Sequence, residues 1–399
     1  MGHGLSTKRT PSCLREGVLL FLLGLIPWAW AQTPGPASSS AAGDIRALTA
    51  RAVALYQKGD LRRSCPIFAD LAARQPSNPY VHLYMLGCSI YRGDTKGIAK
   101  ERAALRKLAP VGTKAHAMAG DWLASSGHCA AAEEEYALAP PVSAVGAVEF
   151  ALAQCYQGAG DVERAVKGYR RALELNPEKE EYYLLLAILL MGTSQTEEAG
   201  KVLVDAVKRY PQSLQILVTM SLLHLELGFA DRARIGYEKA RAIAPDSAMV
   251  WKLLGRIQHA EGTHEDAVKS FERAAAIDPK DAQTYLFMGM ALLGIEGGAD
   301  RALEAFLRAI ELDPELLEAR FQAASIYLQT KQDYAKAASY LEKVVAAAPD
   351  FVRARQLLIQ AYYRLGWNEK AAAQAKKLRE LTQQAPADLG PAKAEPKSH

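Results

Sequence analysis

Prolines recur along most of this sequence at a nearly constant interval of 34 or 35 residues. Two upstream prolines and a longer downstream run share this step: Pro76 and Pro110, then Pro177, Pro211, Pro245, Pro279, Pro314 and Pro349. Proline lacks the amide that a continuing helix needs and restricts the residue before it, so it fits between helices. An interval kept over so many turns predicts a stack of similar helical units rather than an irregular bundle.

Within each period, the apolar residues follow a helical spacing that is interrupted once by a turn. The sharpest copy shows the first helix, the turn and the second helix in order: Trp251, Leu254 and Gly255; Gly262; Ala267, Phe271 and Ala274. Small residues where two helices meet let the backbones approach closely, and the large residues fill the remaining space. Each period therefore predicts an antiparallel pair of helices.

The same residue types recur in phase in other copies. One copy has Tyr156, Gly160, Ala165, Tyr169, Ala172 and Pro177, and another has Gly228, Ala233, Tyr237, Ala240 and Pro245. This pattern resembles the tetratricopeptide repeat, with about ten copies from Asp44 to Thr382. The resemblance implies an all-α fold, a right-handed α-solenoid of antiparallel helix-turn-helix repeats. The copies in 44–145 are degenerate, and those in 146–384 form a regular array with one-residue insertions around Gly297 and in the next copy.

The N-terminal residues 1–31 have the features of a signal peptide. Lys8, Arg9 and Arg15 precede a short apolar run over 17–26, and small residues at Ala29 and Ala31 predict cleavage after Ala31. The alternative is an uncleaved membrane anchor. The run is too short to cross about 30 Å of hydrocarbon, which favours cleavage.

The composition at both ends shifts towards Pro, Ala, Ser and Gly or Lys. Residues 32–43 are expected to form a flexible linker and residues 385–399 a disordered tail. With the signal removed, the protein is expected to be periplasmic or secreted, to come from a bacterium, and to make no stable membrane insertion.

The charge balance and the absence of catalytic motifs argue against nucleic-acid binding and catalysis. The chain has 48 basic and 44 acidic residues with no block of one sign, which argues against a nucleic-acid partner. Gly-rich phosphate loops, G-x-S-x-G and H-E-x-x-H are absent from the sequence. We therefore expect a protein that is not an enzyme and needs no cofactor.

The resemblance implies that the first helix of each pair lines a concave face. One basic station is expected there, formed by Lys252, Arg256 and His259, with apolar neighbours at Leu222, Leu286 and Met290. Such a groove suits a protein or peptide ligand that presents apolar side chains and one carboxylate. In the alternative, the apolar residues pack within the superhelix and the basic trio is a solvated patch. The carboxylate clamp of some family members is not present in its usual form, since no Asn accompanies these cations.

Four cysteines follow the signal segment, all in the degenerate copies. Cys65 and Cys129 fall on second helices, and Cys88 and Cys155 fall on the first helices that follow. Because these helices pack together in the repeat that the chain resembles, disulfides Cys65–Cys88 and Cys129–Cys155 are expected in an oxidising compartment. Four unrelated buried thiols are the alternative, and a zinc site at His116, His128 and Cys129 lacks the usual ligand spacing.

Two functional hypotheses remain open. The first is an exported scaffold or adaptor for protein–protein interaction, in cell-envelope assembly or polymer export. The second is a chaperone-like holder of unfolded or lipid-bearing clients.

Overall fold

The computed structural model describes residues 39–141 and 145–384. The signal segment, the linker up to residue 38 and the tail from residue 385 lie outside the described residues. The described chain forms two compact units, which divide between residues 192 and 193. This division does not coincide with the 44–145 and 146–384 ranges, which rest on the regularity of the repeat rather than on compactness.

The unit over 39–192 consists of four helix pairs in sequence order and one further helix. They are α1 Ser39–Gln57, α2 Leu61–Arg74, α3 Pro79–Arg92, α4 Thr95–Leu108, α5 Lys114–Ser125, α6 Cys129–Tyr136, α7 Ala147–Gly158, α8 Val162–Leu175 and α9 Glu180–Gly192. Helix α1 begins at Ser39, inside the segment expected to be a linker. Helix α6 has only 8 residues, in line with the short third copy seen in the sequence.

The unit over 193–384 continues the pattern. Its helices are α10 Thr196–Arg209, α11 Leu214–Glu226, α12 Ala230–Ile243, α13 Ala248–Ala260, α14 His264–Ile277, α15 Ala282–Leu293, α16 Ala299–Leu312, α17 Leu317–Gln329, α18 Tyr334–Ala347, α19 Val352–Arg364 and α20 Asn368–Gln384. From α11 on, each first helix packs against the second helix that follows it, as α13 does with α14. The expected all-α helical-repeat fold is confirmed.

The turns inside the pairs explain where the helices stop. Gly262, between α13 and α14, has a φ of +80°, a left-handed conformation that side chains rarely adopt. In the copy with the insertion before α18, Gln332 takes that conformation instead, with φ 52°. Asp333 then caps α18 by accepting a hydrogen bond from the backbone amide of Lys336.

In several pairs, a small residue of the first helix faces a buried ring from the second helix. Phe271 of α14 is fully buried, as are Ala267 and Ala274. An extra carbon at Gly255 of α13 would stand 2.7 Å from the Phe271 ring. The small residue at this position is therefore required by the ring, as the sequence pattern indicates. In the described residues, no helix has the length and apolar character needed to cross a membrane.

Candidate functional site

The first helices of successive pairs are neighbours in the unit over 193–384. Helix α11 contacts α13, α13 contacts α15, and α17 contacts α19. The sides of these five helices that face away from the second helices are called the first-helix face below. The residues of the expected peptide site lie on α11, α13 and α15.

Lys252 is engaged in an ion pair within the protein. Its Nζ lies 2.7 Å from Oδ2 of Asp281, and the Thr284 hydroxyl donates to the same carboxylate at 2.6 Å. Burial alone would raise the pKa of Asp281, but the hydrogen bonds from Lys252 and Thr284 outweigh it and hold that pKa below its usual range. The Lys252 charge is therefore balanced from the next helix pair.

Arg256 differs from Lys252, because within the described residues its guanidinium makes no ion pair. It lies over the Phe287 ring, 4.5 Å from the centroid. Burial lowers the pKa of Arg256, and the nearby Glu226 carboxylate opposes this shift. A partly buried guanidinium without a hydrogen-bonded carboxylate is a favourable place for an anionic group of a ligand.

His259 does not add a second cation to this region. Its Nδ1 lies 3.1 Å from Nδ1 of His264, a contact in which one nitrogen must accept. Burial, followed by the neighbouring His264, lowers the pKa of His259. The side chain is therefore neutral at pH 7, and Arg256 is the one unpaired cation of the expected trio.

The apolar residues of the expected site divide into two groups. Leu222 and Met290 are partly buried and keep some exposed surface. Leu286 is only 4% exposed and belongs to the core cluster that includes Val268 and Phe271. The expectation that Leu286 offers surface to a ligand is wrong, because its side chain packs into the core.

A cleft farther along the first-helix face was not singled out by sequence reasoning. It has a volume of about 280 Å³ and lies among residues of α15, α17 and α19. Its lining consists of apolar, amide and hydroxyl side chains and one guanidinium: Leu293, Phe321, Gln322, Ser325, Ile326, Gln329, Thr330, Arg353, Gln356 and Leu357. Phe321 and Gln356 stand at first-helix positions equivalent to that of Lys252, and Ser325 at the position equivalent to that of Arg256, so the signal was present in the spacing.

The four cysteines lie in the other unit. The structure contains disulfides Cys65–Cys88, with a sequence separation of 23, and Cys129–Cys155, with a separation of 26. These are the pairs expected from the sequence. Since Cys129 is bonded to Cys155, it is not available as a zinc ligand.

His116 is also engaged elsewhere. It is 1% exposed, with Nδ1 2.9 Å from Oε2 of Glu135 and Nε2 3.3 Å from the Ala109 carbonyl oxygen. Glu135 is fully buried and accepts from Nε of both Arg102 and Arg106, at 3.1 and 2.8 Å. No group of three or more metal-binding side chains occurs in 39–141 or 145–384.

Models of the tetratricopeptide repeat match residues 147–179, 218–282 and 330–394. Superkiller complex protein 3 of Mus musculus is 27% identical over 218 residues, which are 53% of this chain and 12% of that protein. Protein O-mannosyl-transferase TMTC1 of Homo sapiens is 27% identical over 202 residues, 50% of this chain and 23% of that protein. Anaphase-promoting complex subunit 3 of Schizosaccharomyces pombe is 26% identical over 47% of this chain and 28% of its own length. The chain thus spans less than a third of these curated relatives.

Solved structures with similar folds include a tetratricopeptide repeat protein from Parabacteroides merdae and the APC/C hetero-tetramer Cut9-Hcn1. The first has a TM-score of 0.48 and 13% identity, covering 80% of this chain and 99% of that one. The second has a TM-score of 0.49 and 15% identity, covering 81% of this chain and 64% of that one.

Proposed function

Since this chain belongs to the tetratricopeptide repeat family, we propose that it is a non-catalytic scaffold or adaptor that holds a protein partner on its first-helix face. Relatives named as subunits of the superkiller and anaphase-promoting complexes support a role in protein–protein interaction. The transferase relative matches over 23% of its own length, so its activity is not carried over to this chain.

The observation that carries the proposal is the state of Arg256. Its guanidinium is partly buried against Phe287, and the nearby Glu226 carboxylate interacts with it electrostatically but forms no ion pair with it. Placing a cation in such a position costs free energy unless an anion accompanies it. The carboxylate of a bound partner would supply that anion, with Leu222 and Met290 offering apolar contact nearby.

We extend the proposal to an exported protein that acts in the periplasm or outside the cell, in cell-envelope assembly or polymer export. The cysteine pairs support it, because disulfides persist in oxidising compartments. N-terminal sequencing of the protein from its native host should find a chain that begins at Gln32. A full-length chain in the cytoplasm would refute this part.

Site-specific photo-crosslinking in the native host tests the binding face. A photoreactive amino acid is placed at Met290, and a matched control is placed at Ile277, a second-helix residue that is 49% exposed. One discrete adduct at Met290 and none at Ile277 is expected, and Arg256→Gln should weaken it about tenfold. Arg301→Gln, an exposed second-helix change, should leave the adduct intact.

The number of adducts separates the two functional hypotheses. A single crosslinked partner fits an adaptor with a defined ligand. Many adducts of varied size, unaffected by Arg256→Gln, would instead support a chaperone-like holder of unfolded or lipid-bearing clients. Equal labelling at Met290 and Ile277 would rule out the first-helix face as the binding surface.

A further inference from the structure

We propose that His259 and His264 together bind a divalent transition-metal ion, and that Cu²⁺ is the first-row metal they bind most tightly. The two histidines flank the turn inside one helix pair: His259 lies in the last turn of α13, and His264 is the first residue of α14. The inference goes beyond the proposed function. It gives a separate role to His259, which adds no positive charge to the expected basic station.

The two imidazole rings are close enough to share one metal ion. Nδ1 of His259 lies 3.1 Å from Nδ1 of His264, and the ring centroids are 4.9 Å apart. Histidine nitrogens bind zinc at about 2.0–2.1 Å, and bonds of that length from two nitrogens at this separation meet at an angle of about 100°. That angle lies between the values of about 90° and 109° that octahedral or square-planar and tetrahedral ions require.

The turn between the histidines fixes the spacing of their backbones. Gly262 takes a left-handed conformation with φ +80°, and its amide donates to the His259 carbonyl at 3.1 Å. The Thr263 amide donates to the Gln258 carbonyl at 2.9 Å. Because these hydrogen bonds hold the turn before any ion arrives, binding orders little more than two side chains, which favours affinity.

A third helix holds the His264 ring in place. A carbon added at Gly294, at the end of α15, would stand 2.6 Å from both Cγ and Nε2 of His264. The ring therefore packs directly on the backbone of α15 while its Nδ1 meets His259. Gly294 has an ordinary right-handed conformation with φ −79°, so the neighbouring ring, and not the backbone, requires a glycine there.

The donor atoms determine which ions fit. Both histidines are partly exposed, so an ion can reach them from solvent. Neutral imidazoles suit copper, nickel and zinc, whereas Mg²⁺ and Ca²⁺ prefer oxygen ligands, and among the divalent first-row ions Cu²⁺ binds nitrogen sites most tightly. Within the described residues, no third His, Cys, Asp or Glu completes the site. Water then fills the remaining coordination positions.

Calorimetric titration of the whole, untagged protein with Cu²⁺ tests the proposal, with electron paramagnetic resonance to identify the ligands. All samples carry His3→Asn, so that a histidine near the amino terminus cannot contribute a second site. We expect one Cu²⁺ per chain with coupling to two imidazole nitrogens. His259→Asn and His264→Asn should each weaken binding at least about a hundredfold. Gly294→Ala, which keeps both imidazoles but displaces one ring, should weaken it about tenfold.

His128→Asn is the matched control, because His128 is a partly exposed histidine of the other unit, and its removal should leave the affinity unchanged. Urea unfolding of each variant without metal verifies folding. An affinity that stays the same in both His259→Asn and His264→Asn would show an adventitious ion only, and no Cu²⁺ binding by the wild type would equally overturn the assignment. Crosslinking at Met290 in the absence of metal tests the proposed function separately, so failure of one proposal leaves the other standing.

Discussion

The packing of Gly255 against Phe271 predicts that one additional methyl group destabilises the array. In Gly255→Ala, the new carbon would stand 2.7 Å from Cε1 and 2.8 Å from Cζ of Phe271. Ordinary carbon–carbon contacts are about 3.5–4.0 Å. Phe271 is fully buried, so its ring has no solvent-filled space into which it could move.

Two opposing terms set the magnitude. Overpacking a filled core costs about 1–3 kcal/mol, and these short distances place Gly255→Ala towards the upper part of that range. Replacing glycine by alanine in a helix stabilises the helix by about 1 kcal/mol, because alanine has the higher helix propensity. The free energy of unfolding should therefore fall by about 1–2 kcal/mol.

Gly200 in α10 provides a matched control with the opposite expected sign. An added carbon there meets only Cδ2 of Leu223, at 3.7 Å, an ordinary contact. Gly200→Ala should therefore raise the free energy of unfolding by about 0.5–1 kcal/mol, since only the propensity term remains.

Urea unfolding followed by circular dichroism measures both changes. Adding Phe271→Leu to Gly255→Ala should cost less than the sum of the two single changes, because a smaller side chain relieves the contact. If both alanine variants shifted in the same direction by similar amounts, the argument from close packing would be refuted.

Three further changes probe disulfides, buried charge and pH. Cys129→Ser should lower the free energy of unfolding by about 3 kcal/mol, because a covalent loop of 26 residues is opened. Urea unfolding of the oxidised protein measures this change. Reduction of the disulfides should then destabilise the variant less than it destabilises the wild type. Glu135→Gln should cost about 3 kcal/mol in thermal or urea unfolding, because the fully buried carboxylate that accepts from Arg102 and Arg106 is lost. The pKa of His259 is lower in the folded protein than in the unfolded chain. As the pH falls below about 6.5, this histidine therefore becomes protonated first in the unfolded chain, and the protein loses stability until the pH has passed the pKa of the folded state. Urea midpoints measured between about pH 7.5 and 5 should therefore decline less in His259→Asn than in the wild type, and equal declines would contradict this.

Much of the fold follows from residue spacing alone. Phe271 and its small partners recur at helical intervals, and the interval between prolines marks where each pair ends. Spacing of this kind reports which side of a helix is buried, because burial repeats with the helical period. The turn before α18 was harder to anticipate in detail, since Gln332 takes the left-handed conformation that a glycine usually supplies.

The candidate site was only partly predictable, because its electrostatics depend on contacts between helix pairs. Lys252 and Arg256 are both cations on α13, and the sequence of that helix does not indicate that only one of them forms an ion pair. Asp281, which lies 29 residues after Lys252, pairs with the Lys252 ammonium group. It forms no ion pair with Arg256. Leu286 likewise stands at a first-helix position equivalent to that of Lys252, but its apolar side chain turns into the core.

The degenerate copies in 44–145 show a related limit of the apolar pattern. His82 and His116 stand at the first-helix position that Trp251 occupies in the sharpest copy. Each pairs through Nδ1 with a glutamate 19 residues later, His82 with Glu101 at 2.7 Å and His116 with Glu135 at 2.9 Å. Each also directs Nε2 towards a backbone carbonyl oxygen before its own helix, at 3.0 and 3.3 Å.

These paired histidines account for how copies with a weak apolar consensus keep the geometry of the repeat. A histidine whose Nδ1 meets a carboxylate and whose Nε2 meets a carbonyl oxygen is held by hydrogen bonds on both sides of its ring. In the last helix pair, Arg355 makes the same two connections, to Gln374 and to the Pro349 carbonyl. Polar groups at this position therefore join the first helix to its partner helix and to the preceding loop. The interval of 34 residues between His82 and His116 is therefore a further sign of the repeat, carried by polar rather than apolar residues.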